Sequence, residues 1–274
     1  MIQLGLIGYP LGHSLSPKIH IAALKSCGLH GDYSLFQIHP DDKPGLKKLL
    51  DQVRADEITG LNVTIPYKQN VISLMDELTP TAKSIGAVNT IYMKHEKLIG
   101  DNTDAQGFLS DLKKYTGNQE SGIRKSALVL GAGGSARAIV YALLNDYWNV
   151  TIAARRIEQA QELSAQFKNT NAVELNFQTF QPSNLQLIVN TTPLGMTPLT
   201  DKSPLPENTS LSSHTIIYDL VYNPRETKLV KDARSHGLSA ATGLGMLIEQ
   251  AALAFEIWTG HNPPRTALYD VIDN

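Results

Sequence analysis

Residues 128–156 read LVLGAGGSARAIVYALLNDYWNVTIAARR, and this stretch decides the fold of the second half of the chain. A strand-like run leads into a glycine-rich turn, then a helix-like segment to about Asn145 and a second strand, NVTIAA. Gly131, Gly133 and Ala136 match the pattern G-x-G-x-x-[GA] between the strand and the helix. There the first glycine makes a tight turn, and the second lets backbone approach a pyrophosphate at the helix N-terminus. The stretch therefore predicts a dinucleotide site rather than an ordinary glycine turn.

The end of the second strand indicates which dinucleotide binds. Enzymes that use NAD usually carry Asp or Glu there, and the carboxylate bonds the 2′-hydroxyl of the adenosine ribose. This chain has Ala154, Arg155 and Arg156 instead. Two guanidinium groups without a carboxylate suit the 2′-phosphate of NADP. The alternative, a solvated basic start of a helix, is disfavoured because cations are unfavourable beside the positive end of a helix dipole. We therefore expect NADP as the cofactor.

The composition argues against several classes of protein. A length of 274 residues predicts one large domain or, as we expect, two ordinary ones. The formal net charge of -2 and the pI of about 6.4 give no electrostatic attraction for nucleic acid or an anionic membrane surface, so neither is an expected partner. Cys27 is the only cysteine, which excludes an internal disulfide and a Cys-rich zinc site. No metal is expected, because the histidines show no helical i, i+4 pairing with an acidic partner.

The N-terminal residues favour a cytoplasmic location. Met1 leads directly into IQLGLIG, without the basic segment and the long apolar run of a secretory signal. No apolar run approaches the ~20 residues that span a bilayer. We therefore expect a cytoplasmic protein.

Strand-like and helix-like runs alternate along the chain, a pattern that predicts an α/β protein with a mostly parallel sheet. Residues 116–125, TGNQESGIRK, are polar and lack apolar periodicity, as in a linker. We therefore place a domain boundary near residue 120. The last helix is predicted over about residues 245–258, which are rich in Ala, Leu and Ile on more than one face.

The stretch GYPLGHSLSP, residues 8–17, contains two candidate ligand-binding hydroxyls. If this segment is extended, Ser14 and Ser16 point to the same side, because side chains alternate along a strand. Pro17 then opens a helix whose free amides favour an anion, so the two serines could hold a substrate carboxylate. The alternative is that Ser16 is the N-cap of that helix. The residues alone leave both interpretations open.

Two further stretches place reactive side chains where ligands bind in open α/β sheets, at the carboxyl ends of strands. LNVTIPYK carries Asn62, Thr64 and Lys68, and GDNTDAQGF carries Asp104 where a helix begins. Oxidation of an alcohol by NADP removes a hydride and a proton, so it needs a proton acceptor beside the hydroxyl. A lysine held by an aspartate can be that acceptor. Taken singly, Lys68 is more often a solvated lysine and Asp104 a helix N-cap.

Eight motifs occur in one order over nearly the whole chain, and together they resemble the shikimate dehydrogenase family. The motifs are GYPLGHSLSP, GLNVTIPYK, GAVNTI, GDNTDAQGF, LGAGGSARA, NTTPLGM, YDLVYNP and GLGMLIEQAALAFEIWTG. The resemblance implies reversible NADP-dependent reduction of 3-dehydroshikimate to shikimate, in the biosynthesis of chorismate and the aromatic amino acids. It also implies a small-molecule substrate and a monomer or homodimer.

The resemblance assigns roles by motif position. Lys68 and Asp104 would form the catalytic pair. The substrate residues would be Ser14 and Ser16 at the carboxylate, with Tyr222 nearby, and Asn62, Thr64, Asn89 and Gln250 at the hydroxyls. The cofactor residues would be Gly131, Ala132, Gly133, Gly134, Ser135 and Ala136 at the pyrophosphate, Arg155 at the 2′-phosphate and adenine, and Thr192, Val221, Gly243 and Met246 around the ribose and nicotinamide.

The resemblance also implies the domain organisation. An N-terminal α/β substrate domain would be joined to a C-terminal Rossmann NADP-binding domain, with the active site in the cleft between them. The substrate domain would comprise residues 1–104 and 245–274, and the Rossmann domain residues 120–242. Residues 105–119 would form the connecting helix and linker.

One departure and three alternatives qualify this assignment. The family usually has Asn-Arg-Ser or Asn-Arg-Thr where this chain has Ala154, Arg155 and Arg156, so Arg156 would replace the contact of the absent asparagine. One alternative is the quinate/shikimate branch of the family, which can use NAD. A second is methylenetetrahydrofolate dehydrogenase, against which the serine pair argues. A third is a noncatalytic NADP or metabolite sensor on the same fold, which would not need both Lys68 and Asp104.

Overall fold

The computed structural model describes residues 1–12, 14–116, 125–175, 185–206 and 209–273. These residues divide into two compact units. The first unit contains Met1–Gly107 and Ile248–Asn274, and the second contains Phe108–Leu247. The boundary predicted near residue 120 lies outside the described residues.

Strands and helices alternate through most of the chain. In chain order the described strands are β1 (Ile2–Gly8), β2 (Gly31–Gln37), β3 (Gly60–Val63), β4 (Glu77–Leu78), β5 (Thr90–Lys94), β6 (Lys97–Asp101), β7 (Ser126–Leu130), β8 (Asn149–Ala154), β9 (Thr170–Glu174), β10 (Leu187–Asn190), β11 (Ile216–Asp219) and β12 (Ser239–Thr242). The described α-helices are α1 (Ser16–Ser26), α2 (Lys43–Arg54), α3 (Tyr67–Asn70), α4 (Pro80–Ile85), α5 (Asp104–Thr116), α6 (Gly134–Asn145), α7 (Ile157–Gln166), α8 (Lys228–Ser235), α9 (Leu244–Thr259) and α10 (Arg265–Asp273). The predicted α/β class is confirmed.

The first unit is built on a six-stranded mixed sheet in the order β2-β1-β3-β5-β6-β4. Strand β1 pairs in parallel with β2 and β3, whereas β5 runs antiparallel to β3 and β6. All four residues of β3 are buried, and its apolar residues Leu61 and Val63 pack with Ile7 and Leu49 in the core of this unit. Asn62, between those two apolar residues, points to the opposite face of the sheet, where it is also buried and therefore needs hydrogen-bond partners.

The second unit is built on a six-stranded sheet in the order β12-β11-β10-β7-β8-β9, in which every neighbouring pair is parallel. Its central strands are continuous apolar runs, as expected of parallel strands covered on both faces. Leu128, Ile188 and Ile217 from three adjacent strands share one buried cluster. The chain starts in the middle, at β7, and moves first to β8 and β9 and then to β10. This is the strand order of dinucleotide-binding folds, with its switch point between β7 and β10.

Several elements were not predicted from the sequence: β4, β9, β12, α8 and α10. Strand β12, SAAT, consists mostly of small residues with low β propensity and is a strand because it pairs with β11. The helix predicted over about residues 245–258 is confirmed as α9, but the prediction that it is the last helix was wrong, because α10 follows it. This short helix packs beside α1 and buries Leu268 completely. Within the described residues, each helix is too short or too polar to cross a bilayer.

Candidate active site

Lys68 and Asp104 form a direct ion pair in the first unit. Lys68 lies on the short helix α3 and Asp104 is the first residue of α5, and Nζ of the lysine lies 2.6 Å from Oδ2 of the aspartate. Only 12 % of the lysine side chain and 6 % of the aspartate side chain are exposed. A pair this sheltered is screened little by water or salt. The geometry can hold a proton at Nζ beside a fixed negative charge.

Asn89 orients the other side of the Asp104 carboxylate. Its Nδ2 donates to Asp104 Oδ1 at 2.9 Å and approaches Gln250 Oε1 at 3.3 Å. Its Oδ1 accepts from the backbone N–H of Thr103 at 2.8 Å and from the hydroxyl of Thr90 at the same distance. Because a backbone N–H can only donate, the orientation of the Asn89 amide is fixed. Both oxygens of Asp104 therefore have donors.

Two of the other residues predicted to bond substrate hydroxyls, Asn62 and Gln250, contact Asn89. Asn62 donates from Nδ2 to the backbone oxygen of Asn89 at 3.3 Å. Gln250, on α9, is buried and contacts the same asparagine. Thr64 follows β3 directly and is half-buried. The first unit thus brings together Asn62, Lys68, Asn89, Asp104 and Gln250.

Ser14 and Ser16 are arranged differently from the extended pair considered above. Ser14 Oγ accepts from the backbone N–H of Ser16 at 3.2 Å, and the backbone N–H of Ser14 bonds to Leu11. Leu15, between them, has helical φ and ψ and is the N-cap of α1, without a side-chain cap. The segment is therefore a turn, and neither the extended arrangement nor a Ser16 N-cap occurs. The two hydroxyls remain at the N-terminus of α1, beside its free amides.

In the second unit the glycine loop joins β7 to α6 at the switch point of the sheet. Gly131 has φ +112°, and a Cβ there would lie 2.5 Å from Thr191 Oγ1, so a side chain is excluded on both counts. Gly133 is the N-cap of α6 and has open space around it. Ala136 is completely buried, which lets the helix pack closely on the sheet. The loop residues Ala132, Gly134 and Ser135 are half-buried.

Two arginines follow the second strand of this unit. Strand β8 ends at Ala154, and Arg155 and Arg156 are both exposed. Arg156 is the N-cap residue of α7 and makes no side-chain cap. The cradle at Gly131, the free helix N-terminus and the two exposed cations together fit a dinucleotide with a 2′-phosphate.

A buried polar network underlies the predicted nicotinamide region. Asn190 Oδ1 accepts from the backbone N–H and the hydroxyl of Thr192, at 2.9 and 2.7 Å. Its Nδ2 donates to Asp219 Oδ1 at 2.8 Å, which also accepts from the backbone N–H of Val221 at 3.0 Å. Thr227 donates to Asp219 Oδ2 at 2.6 Å. Burial nevertheless raises the pKa of Asp219 to about 6, because it outweighs these donors.

One of the remaining predicted cofactor residues, Gly243, bonds to Val221, which belongs to this network. The backbone N–H of Gly243 donates to the oxygen of Val221 at 3.2 Å, and a Cβ at Gly243 would meet the oxygen of Leu220 at 2.0 Å. Met246 is buried on α9. Tyr222, predicted near the substrate carboxylate, lies in the second unit and is half-buried.

Sequence reasoning missed the residues that orient the site rather than line it. They are Tyr33, Thr90, Asn102, Thr103, Asn190 and Asp219. Asn102 donates to the oxygen of Ala87 at 2.9 Å and accepts from the N–H of Asp104 at 3.1 Å. A usable signal was present for two of them, since Asn190 and Asp219 are polar residues that end apolar parallel strands. Tyr33 carried no such signal.

Three family models match successive parts of the chain. The model described as shikimate dehydrogenase substrate binding domain matches residues 6–91. The one described as shikimate / quinate 5-dehydrogenase matches residues 116–229, and the shikimate 5'-dehydrogenase C-terminal domain matches residues 243–272. Together the matches cover both units.

Individual proteins are similar over nearly the full length. The chain is 42% identical to the shikimate dehydrogenase (NADP(+)) of Carboxydothermus hydrogenoformans, over 95% of this chain and 92% of that protein. It is 39% identical to the enzyme of the same name from Methanococcus maripaludis, with the same two coverages. A crystal structure of shikimate 5-dehydrogenase from Thermus thermophilus, in complex with NADP(H) and shikimate, has a TM-score of 0.87 and 36% identity, and covers 100% of this chain and 99% of that one.

Proposed function

The chain belongs to the shikimate dehydrogenase family, and on that premise we propose that it catalyses the reversible NADPH-dependent reduction of 3-dehydroshikimate to shikimate. The reaction is an oxidoreduction at a CH–OH group in the biosynthesis of chorismate and the aromatic amino acids. Within the structure, the observation that carries the proposal is the sheltered ion pair of Lys68 and Asp104, surrounded by amide side chains. An ordinary solvated lysine would not lie 2.6 Å from a buried carboxylate.

Lys68 would exchange the proton. During reduction, the Nζ ammonium donates a proton to the oxygen of the former ketone, and the neutral amine is then reprotonated from solvent. During oxidation, the amine accepts the proton of the hydroxyl. Asp104 accepts from Nζ on one oxygen and from the Asn89 amide on the other, and so would keep Nζ in place. Bound NADPH supplies the hydride that adds to the carbonyl carbon.

The substrate would be held by the polar residues of the first unit. We assign Asn62, Thr64, Asn89 and Gln250 to its hydroxyls and Ser14 and Ser16 to its carboxylate, and we keep Tyr222 as a further candidate for the carboxylate. The turn at the start of α1 supports the carboxylate assignment, because Ser14 and Ser16 lie where helix amides favour an anion. Asn89 already donates to Asp104, so its part is also to orient the catalytic carboxylate.

The cofactor would be held by the second unit. The loop from Gly131 to Ala136 would receive the pyrophosphate, and Arg155 with Arg156 the 2′-phosphate. Thr192, Val221, Gly243 and Met246 would surround the ribose and nicotinamide. The two exposed arginines after β8, where the strand ends in Ala154 rather than in an acidic residue, favour NADP over NAD.

An assay of the purified protein with shikimate and with quinate, each with NADP and with NAD, tests the proposal. We expect the highest kcat/KM for shikimate with NADP. A higher kcat/KM for quinate with NAD would assign the chain to the quinate branch instead. No turnover of either substrate would contradict an enzymatic function and favour the noncatalytic sensor. A monomer or homodimer, part of the same proposal, is checked by sedimentation of the same preparation.

A further inference from the structure

Asn62 is oriented by two neighbours within the first unit. Tyr33, on β2, donates its phenol O–H to Asn62 Oδ1 at 2.8 Å, and both side chains are buried. Asn62 Nδ2 donates to the main-chain oxygen of Asn89 at 3.3 Å. Because a carbonyl oxygen only accepts, the amide nitrogen of Asn62 must face Asn89 and the amide oxygen must face Tyr33. The contact with Asn89 therefore decides which end of the amide points which way, and Tyr33 holds the amide oxygen in the resulting position.

Tyr33 is itself fixed by a stack of rings. The imidazole of His20, on α1, lies parallel to the phenol ring, with 4.4 Å between the ring centroids and 3° between the planes. The indole of Trp258 lies 5.4 Å from the imidazole and donates Nε1 to the main-chain oxygen of Ile91 at 3.2 Å. Gly60 leaves the room for this indole, since a Cβ there would lie 2.2 Å from Nε1. The stack is therefore closely packed and has little freedom to shift.

His20 contributes its flat face rather than a charge. The side chain is 0% exposed, and within the described part of the chain neither ring nitrogen makes a hydrogen bond. Burial lowers the pKa of His20 to about 3, against a smaller opposite effect of the neighbouring Asn62 amide. The imidazole is therefore neutral at physiological pH and places no cation beside Asn62.

We propose that Tyr33 is a positioning residue of the substrate site, which orients the Asn62 amide towards a substrate hydroxyl, and that His20 holds Tyr33 in place. The proposal rests on the proposed function, because it takes Asn62 as a ligand of the shikimate hydroxyls. Within the described residues Asn62 bonds to Tyr33 through its amide oxygen and to Asn89 through one N–H, so its second N–H is the one that would donate to a hydroxyl oxygen. Without the phenol O–H the amide oxygen loses its partner, and the productive orientation is less populated.

The test is Tyr33→Phe in the full-length protein, which keeps the stacked ring and removes only the hydroxyl. We expect KM for shikimate to rise roughly 3- to 10-fold, the effect of losing one uncharged hydrogen bond. Two quantities should stay within about twofold of wild type: kcat for shikimate oxidation and KM for NADP. The reason is that the proposal assigns Asn62 to a substrate hydroxyl and not to proton transfer or to the cofactor.

The matched control is Tyr67→Phe. Tyr67 is another buried tyrosine of the first unit, and its hydroxyl donates to the main-chain oxygen of Ile38 at 2.7 Å. Both variants lose one buried phenol hydrogen bond, so their melting temperatures should fall comparably. Only Tyr33→Phe should raise KM for shikimate. An equal rise in both variants would show a loss of general stability and overturn the proposal.

A double-mutant cycle tests whether Tyr33 acts through Asn62. In an Asn62→Ala background, Tyr33→Phe should cause no further rise in KM. His20→Leu, which removes the stacked ring, should raise KM for shikimate in the same Asn62-dependent way, and His20→Phe, which keeps a ring, should restore it. If Tyr33→Phe does not fold, these His20 variants still test whether the stack of His20 on Tyr33 sets KM for shikimate through Asn62.

Two outcomes separate this proposal from the function on which it rests. Absence of shikimate turnover in the wild-type protein overturns the proposed function itself. Wild-type turnover, combined with an unchanged KM in Tyr33→Phe or with full additivity in the cycle, overturns only the role of Tyr33.

Discussion

Asp104 accepts hydrogen bonds on both oxygens, from Lys68 and Asn89, and this geometry determines how the catalytic pair responds to mutation. A lysine ammonium and an amide NH₂ can only donate, so both oxygens of Asp104 serve as acceptors and the group positioned to transfer a proton is the lysine. The amide of Asn89 cannot turn over to accept from Asp104, because the backbone N–H of Thr103 fixes its oxygen.

Lys68→Met should therefore reduce kcat by roughly 10²- to 10⁴-fold, the usual contribution of a positioned acid or base, with a smaller effect on KM. Asp104→Asn should also lower kcat, and the double variant should be far less impaired than the product of the two single effects. Lys97→Met is the control, because Lys97 forms an exposed ion pair with Glu77 in the same unit. Steady-state kinetics with shikimate measure all four variants, and wild-type kcat in Lys68→Met would end the assignment.

Arg155 allows a second test at the scale of one residue. A hydrogen bond to a charged group is worth about 1.5–3 kcal/mol. Arg155→Ala should therefore lower the affinity for NADP roughly 10- to 100-fold. KM for NAD, which lacks the 2′-phosphate, should change little. Arg156→Ala should act in the same direction, as strongly as Arg155→Ala if Arg156 replaces the asparagine usual in the family.

The control for the arginine test is Arg234→Ala, which removes one exposed cation from the same unit, where it pairs with Glu226. It should leave both cofactor KM values unchanged. Equal losses for NADP and NAD in Arg155→Ala would show that this arginine supports the adenine or the fold, and the 2′-phosphate assignment would be withdrawn.

At the scale of elements, the turn between β7 and α6 combines two demands that only glycine meets. Gly131 has φ +112°, a conformation that L side chains rarely adopt, and a Cβ at this position would press on Thr191 Oγ1 at 2.5 Å. Thr191 cannot retreat easily, because its hydroxyl bonds to the oxygen of Leu130 at 2.7 Å. A side chain would therefore separate the ends of β7 and β10.

Gly131→Ala should lower both the stability and the NADP affinity of the protein. Gly237→Ala is its control, because Gly237 also has positive φ, +75°, but open space around it. The control should lose about 1 kcal/mol of unfolding free energy from backbone strain alone, with unchanged NADP binding. Urea unfolding and NADP titration compare the two variants. An unchanged NADP affinity in Gly131→Ala would contradict the placement of the pyrophosphate at this loop.

At the scale of the whole molecule, two buried ionisable groups give stability an opposite dependence on pH in the two units. His20 in the first unit has a pKa lowered to about 3, and Asp219 in the second has a pKa raised to about 6. Burial disfavours the charged form of each, which is the imidazolium of the histidine and the carboxylate of the aspartate.

His20 should make the protein acid-sensitive. Below pH 6.5 the unfolded chain binds a proton at His20 that the folded chain does not accept until about pH 3. The stability that neutral His20 contributes is therefore full above pH 6.5 and is lost as pH falls, by about 1.4 kcal/mol per unit. The difference in unfolding free energy between wild type and His20→Phe, measured by urea unfolding at several pH values, should follow this slope. A pH-independent difference would show that His20 titrates normally in the folded chain.

Asp219 should have the opposite effect. Between pH 6 and 3.8 the folded chain binds the proton first, so its stability increases as pH falls through this range. Asp219→Asn removes the titration, and wild type should gain stability relative to this variant over the same range. The same urea series measures the difference in unfolding free energy between wild type and Asp219→Asn. A wild type that loses stability relative to the variant as pH falls would contradict the raised pKa.

The sequence alone determined the α/β class, the dinucleotide loop and the family, because each depends on local patterns. Glycines at fixed spacing between an apolar strand and a helix specify a turn whatever surrounds it, and the alternation of strands and helices predicts parallel pairing. Short elements with weak local signals, such as β12 with its small residues, escaped prediction because pairing with β11 makes them strands. The turn at Ser14 escaped prediction for a different reason: its hydroxyl bonds within its own segment, and a serine in this pattern fits an extended ligand-binding segment as well as a turn.

Only the tertiary structure decided how the site is held. Lys68 and Asp104 are 36 positions apart in the chain, yet their side-chain atoms lie 2.6 Å from each other. Asn89 contacts Gln250 from 161 positions away. No sequence pattern predicts the contacts of Tyr33 and His20, because these contacts follow from ring stacking and from the burial of β3. Local patterns specify which residue types are present, whereas hydrogen-bond partners and burial depend on elements that meet only after folding.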